Sequence, residues 1–116
     1  MNRSFLMMSG VSKEDRHQVT SAVNDAISAT GGWVISHTLF SNIAITIQFS
    51  LPEQKLGEFQ DHAIAAGVRL DNDSLAKIRK VIERNVPRTA EITTSLNITF
   101  MHNEPDLRQE IPAAPG

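Results

Sequence analysis

The chain of 116 residues contains no cysteine. Disulfides, thiolate metal sites and thiol nucleophiles are therefore excluded, and a cytoplasmic location is the default expectation. Strong charge of either sign is also missing. Eleven Lys and Arg face thirteen Asp and Glu, for a formal net charge of −2. That balance gives no electrostatic case for nucleic acid or an anionic membrane as a partner. No apolar run approaches the roughly 20 residues that span a bilayer. Phe5–Met8 is too short for a secretory core, and Lys13, Glu14 and Asp15 follow closely.

Two long stretches lack charge. From Trp33 to Ser50, and from Ile92 to Asn103, there is no Asp, Glu, Lys or Arg. The first contains an alternating run, with Ile43, Ile45, Ile47 and Phe49 on one face and Ala44, Thr46, Gln48 and Ser50 on the other. A slip of one residue would turn the whole apolar set outward, so register is well specified. The run pairs as a hairpin with Trp33–Phe40 across a turn at Ser41-Asn42. The second stretch alternates in the same way over Ala90–His102, with Ile92, Thr94, Leu96, Ile98 and Phe100 on one face. Phe5–Val11 reads as a first strand, with Met7 and Met8 on opposite faces. Val68–Leu70 reads as a short strand.

Three helices fill the gaps. Val19, Ala22, Val23, Ala26 and Ile27 follow helical spacing, with Ser12 or Ser9 as cap and Gly31-Gly32 as stop. After Pro52, the stripe Leu56, Phe59, Ala63 and Ile64 runs to Gly67. Leu75, Ile78, Val81 and Ile82 mark a third helix over 75–85, ended by Pro87.

The order is β-α-β-β-α-(short β)-α-β. It predicts one α+β domain over 1–102: a ferredoxin-like βαββαβ antiparallel sheet with helices on one face over 3–70, then an added helix and long strand over 71–102. Residues 103–116 hold three of the five prolines and read as a flexible tail.

The outward strand positions Thr46, Gln48, Thr93, Ser95, Asn97 and Thr99 carry no charge, unlike an ordinary solvated face. Such groups can be buried when they find hydrogen bonds. They are the expected oligomer interface. The competing reading is a neutral solvated face, because Thr is a good strand former.

No catalytic or metal-ligand spacing is present. His17, His37, His62 and His102 have no second ligand at a recognised separation. No cofactor is implied. Ser9, Gly10, Val11 and Ser12 lie between the first strand and first helix, where free N–H groups would favour an anion. An ordinary helix cap is the alternative. Neither serine has a visible base. Lys77, Arg79, Lys80, Arg84 and Arg88 form a basic stretch interrupted by Glu83, without the stacking aromatics of an RNA-binding sheet.

Leu6-Met7-Met8-Ser9-Gly10-Val11, Ala29-Thr30-Gly31-Gly32 with Trp33-Val34-Ile35, Phe49-Ser50-Leu51-Pro52, and Ala66-Gly67-Val68-Arg69-Leu70 together resemble an ACT domain. The similarity, over about 3–70, is to the amino-terminal regulatory domains of bacterial phosphoserine phosphatases and glycine-cleavage repressors. Ser12-Lys13-Glu14-Asp15 stands where that family carries Asp-x-Pro-Gly. The resemblance implies a bacterial, non-catalytic regulatory protein that binds an amino acid or similar small metabolite, with a site on Ser9–Ser12, and acts as a homodimer or higher oligomer. The competing classes are an interaction module without a ligand, and a small dimeric enzyme built around His37.

Overall fold

The computed structural model describes residues 4–41, 43–84 and 90–101. The elements are β1 (Ser4–Ser12), α1 (Arg16–Ala29), β2 (Trp33–Ser41), β3 (Ala44–Pro52), α2 (Leu56–Ala65), β4 (Arg69–Leu70), α3 (Asn72–Glu83) and β5 (Glu91–Phe100). A one-turn 3₁₀ helix, Glu53–Lys55, joins β3 to α2. The expected Pro87 stop, Arg88, His102 and the tail lie outside the described residues.

The five strands form one sheet in the order β2-β3-β5-β1-β4. The sheet is mixed, which corrects the antiparallel expectation. β5 pairs antiparallel with β3 over nine positions and parallel with β1 over nine. The reason is directional. β1 and β3 run in opposite senses, so any strand placed between them must be parallel to one.

The sequence of β5 suits this central position. Ile92, Thr94, Leu96, Ile98 and Phe100 are all buried on one face. They join Leu6 and Met8 of β1 and Ile45, Ile47, Phe49 and Leu51 of β3 in one core. Against that face lie Val19, Val23, Ala26 and Ile27 of α1, Leu56, Phe59 and Ala63 of α2, and Ile78 of α3. The Phe49 and Phe59 rings meet at 4.9 Å between centroids, tying sheet to helix.

Some stripe positions differ from expectation. Ile64 and Ile82 are each half exposed. Ile82 instead lies over Gly57, where a Cβ would come within 3.2 Å of its Cδ1. The glycine thus sits where α3 crosses α2. Ile43 falls just before β3 and is also exposed, so the core face of that strand begins at Ile45.

Helix ends follow local chemistry. Gly31 adopts φ +85° directly after α1, as its role as a stop requires. α3 starts earlier than the apolar spacing predicted, because the Asp71 carboxylate accepts the Ser74 N–H at 2.8 Å.

Glu53 contacts both the residue before β5 and the end of α3. The Glu53 N–H donates to the Ala90 carbonyl at 2.9 Å. The buried Glu53 carboxylate meets the Arg84 guanidinium at 2.7 Å. Near the middle of β5, Thr94 Oγ1 is buried without a hydrogen-bond partner among the described residues. An unsatisfied buried hydroxyl costs free energy that an isosteric methyl does not. Thr94→Val is expected to stabilise the chain by about 1 kcal/mol in urea unfolding. A loss of stability would show that the hydroxyl is bonded in solution.

Candidate functional site

The structure separates the four residues expected to form a site between the first strand and first helix. Ser9 is tied down through its backbone. Its N–H donates to Ser74 Oγ at 2.8 Å, and its carbonyl accepts the Asp71 N–H at 3.0 Å. Gly10 is covered by β4. A Cβ there would meet the Arg69 carbonyl oxygen at 2.8 Å and Val68 Cγ1 at 2.9 Å. The glycine admits a neighbouring strand, where the sequence had offered a ligand. Gly10→Ala is therefore expected to cost about 1–3 kcal/mol of stability, the range for forced overpacking. A neutral effect in thermal unfolding would show that β4 can move aside.

Val11 and Ser12 do share a hollow. It measures about 370 Å³ and is also lined by Lys13, Glu14, Gly67, Arg69 and Met101. Ser12 is buried, and its Oγ accepts the Glu14 N–H at 3.1 Å, which shapes the turn after β1. The cap of α1 is neither Ser9 nor Ser12. Asp15 Oδ2 accepts the Gln18 N–H at 3.0 Å, so the chain's own carboxylate occupies that helix end.

The hollow instead offers side-chain charge. Lys13, Glu14 and Arg69 line it, and none of these side chains makes a hydrogen bond or ion pair among the described residues. Arg69 arrives because β4 pairs antiparallel with β1, setting Arg69 opposite Val11. A second hollow of about 320 Å³ lies beyond Arg69, lined by Ile64, Val68, Leu70 and Leu75. The two share Gly67 and Arg69, so a polar recess adjoins an apolar one.

The six expected interface residues are gathered on one surface. Cross-strand pairing places Thr46 beside Asn97, Gln48 beside Ser95 and Ala44 beside Thr99. β1 extends this face with Phe5, Met7, Ser9 and Val11 opposite Thr93, Ser95, Asn97 and Thr99. β2 adds Trp33, Ser36 and Thr38, and Ser36 Oγ donates to Gln48 Oε1 at 3.1 Å. None of these positions is charged. Phe5 and Met7 are more than half exposed, so β1 carries apolar side chains on the uncovered face as well as the covered one.

The histidines stand apart. His37 Nε2 lies 3.2 Å from Asn24 Oδ1, His62 lies 4.0 Å from Glu58, and His17 is exposed. Among the described residues no three His, Asp or Glu side chains gather as a metal site. No helix among them is long and apolar enough to cross a membrane. In the basic stretch, Lys77 pairs with Asp73 at 3.0 Å and Arg84 with Glu53.

No protein-family model matches the chain, and no curated protein or solved structure matches it either.

The Asp71 carboxyl is held below its ordinary pKa. The Ser74 hydroxyl and then the Ser74 backbone N–H lower it. The hydroxyl carries one proton. The ionised carboxylate is a stronger acceptor than the Ser9 carbonyl, 3.3 Å from Ser74 Oγ. Because the folded pKa is depressed, this cap contributes stability above the unfolded carboxylate value of about 3.9, lost as pH falls through the folded value. Asp71→Asn is expected to flatten that acid limb in urea unfolding across a pH series. An unchanged limb would place the acid sensitivity elsewhere.

Proposed function

We propose that the chain is a non-catalytic, ACT-like regulatory protein that binds an amino-acid-like ligand and acts as a homo-oligomer. The observation that carries this reading is the hollow at the end of β1. It presents two cations and one carboxylate, all without partners among the described residues. A zwitterion offers the complementary set. Its carboxylate suits the Arg69 guanidinium, which can bind two oxygens at once. Its ammonium suits Glu14. The adjoining apolar recess would take a side chain. The volume falls within the usual range for small-molecule sites.

The strand order adds support. The observed order is β2-β3-β5-β1-β4; on this reading β5 is an insertion into what would otherwise be the ferredoxin-like order β2-β3-β1-β4 of an ACT-like module. The uncharged face supports assembly of copies through Thr46, Gln48, Thr93, Ser95, Asn97 and Thr99. Val11 belongs both to that face and to the hollow, so packing of a second copy would reach the rim of the ligand site.

A thermal-shift panel of free amino acids and small carboxylates tests the ligand reading. At least one amino acid is expected to raise the melting temperature in a concentration-dependent way. Arg69→Ala, at an exposed position, should abolish the shift while leaving the unliganded melting temperature nearly unchanged. No response across the panel would favour an interaction module without a small ligand.

A further inference from the structure

In the hollow at the end of β1, Lys13, Glu14 and Arg69 stand without partners among the described residues. Cations outnumber carboxylates there by two to one. The chain itself leaves the sheet at this spot. Met101 follows β5, lines the hollow, and is held at its rim by the 2.7 Å bond from its N–H to the Ser12 carbonyl. The next residues in sequence are His102-Asn103-Glu104-Pro105-Asp106-Leu107. Glu104 and Asp106 are therefore the first acids after the hollow, and their charge is opposite to that of Lys13 and Arg69. Over 102–116, three acids face one arginine, Arg108.

The order of these side chains matches the order of the two hollows. Met101 lines the polar hollow only, and the apolar one, with Ile64, Leu70 and Leu75, lies beyond Arg69. Along the chain the two acids come first, and Leu107 is the first large apolar residue after Met101. Reach is sufficient. An extended chain spans at most about 3.3–3.6 Å per residue, so Glu104 can lie about 10 Å from Met101 and Leu107 about 20 Å. Pro105 favours that extended form, because its ring fixes its own φ and biases Glu104 toward extended backbone. In a polyproline-type stretch residues three apart share a ridge, which puts Glu104 and Leu107 on one side. Less conformational freedom is then lost on docking.

We propose that residues 104–107 fold back as an internal occupant of the paired hollows, with the Glu104 and Asp106 carboxylates against Lys13 and Arg69 and the Leu107 side chain in the apolar part. Glu14 opposes the two acids, and Arg108, one residue further on, has the sign that suits it. A free inorganic anion could neutralise the same cations but would leave the adjoining apolar surface in water. The chain's own segment supplies both chemistries and is tethered a few residues away. A short tether gives an effective concentration of about millimolar, so a contact too weak to form between separate molecules is still populated. The consequence is a self-inhibited site. A ligand carboxylate must displace the segment, and its apparent affinity falls with the fraction of chains left open. The contact itself needs no ligand, so it stands or falls separately from the amino-acid reading.

The chain has no cysteine, so Gln109→Cys gives the full protein a single thiol for a nitroxide label. The label broadens the amide NMR signals of residues near it, and circular dichroism checks folding of each variant. At low salt, strong broadening is expected at Lys13, Gly67, Arg69 and Leu75. Adding Glu104→Lys/Asp106→Lys should abolish most of it. Adding Lys13→Glu/Arg69→Glu to that charge-reversed chain, at two exposed positions, should restore it. Salt at about 1 M, which screens charges within about 3 Å, should weaken it in the original labelled chain. Equal broadening before and after the charge reversal would mean that attachment at Met101 alone brings the label close, and would overturn the contact. Failure of the swapped pairs to restore it would do the same. In a mixture, isotope-enriched chain without the label should be broadened far less by labelled chain at natural abundance. Equal broadening there would assign the segment to a neighbouring copy and overturn the internal contact.

Discussion

The structure depends on the insertion of β5 between β3 and β1. This one strand makes ladders on both sides, nine pairs with each neighbour, and supplies five buried side chains to the core. Without it, two oppositely directed strands would have to meet directly and the core would lose its central row. The Glu53–Ala90 backbone bond lies at the start of the strand, the Met101 N–H bonded to the Ser12 carbonyl at 2.7 Å closes its end, and the Glu53–Arg84 ion pair holds the end of α3. A buried carboxylate is tolerated here because its charge is neutralised at contact distance.

That insertion also decides where chemistry can occur. By pairing with β1, β5 aligns Phe5, Met7, Ser9 and Val11 with the Thr, Ser and Asn row, and the face becomes four strands wide. At the far end of the same pair, Ser12, the following charged turn and Met101 enclose the hollow with Arg69. The face and the hollow are therefore two consequences of one register.

Much of the fold was legible from pattern. Alternation identified β3 and β5, helical spacing identified α1, and Gly31 ended that helix at a positive φ for the expected reason. Those signals are local, and burial of one face enforces them. Other signals misled because they depend on neighbours. Ile64 and Ile82 have core spacing but lie at the margins of their helices' contacts. Gly10 looked like room for a ligand and proved to be room for the backbone of β4. Ser9 and Ser12 looked like helix caps, but the cap is Asp15, a few residues later.

The sequence by itself determined the number and type of most elements, the alternating face of the long strands and the absence of charge along them. Each follows from side-chain periodicity within one segment. Only the tertiary structure decided that the sheet is mixed, that β5 lies at its centre, and that Lys13, Glu14 and Arg69 surround one hollow. Strand direction and adjacency depend on which distant segments exchange hydrogen bonds. Residues 13 and 69 meet only because a two-residue strand pairs with Gly10 and Val11, a contact that no local pattern encodes.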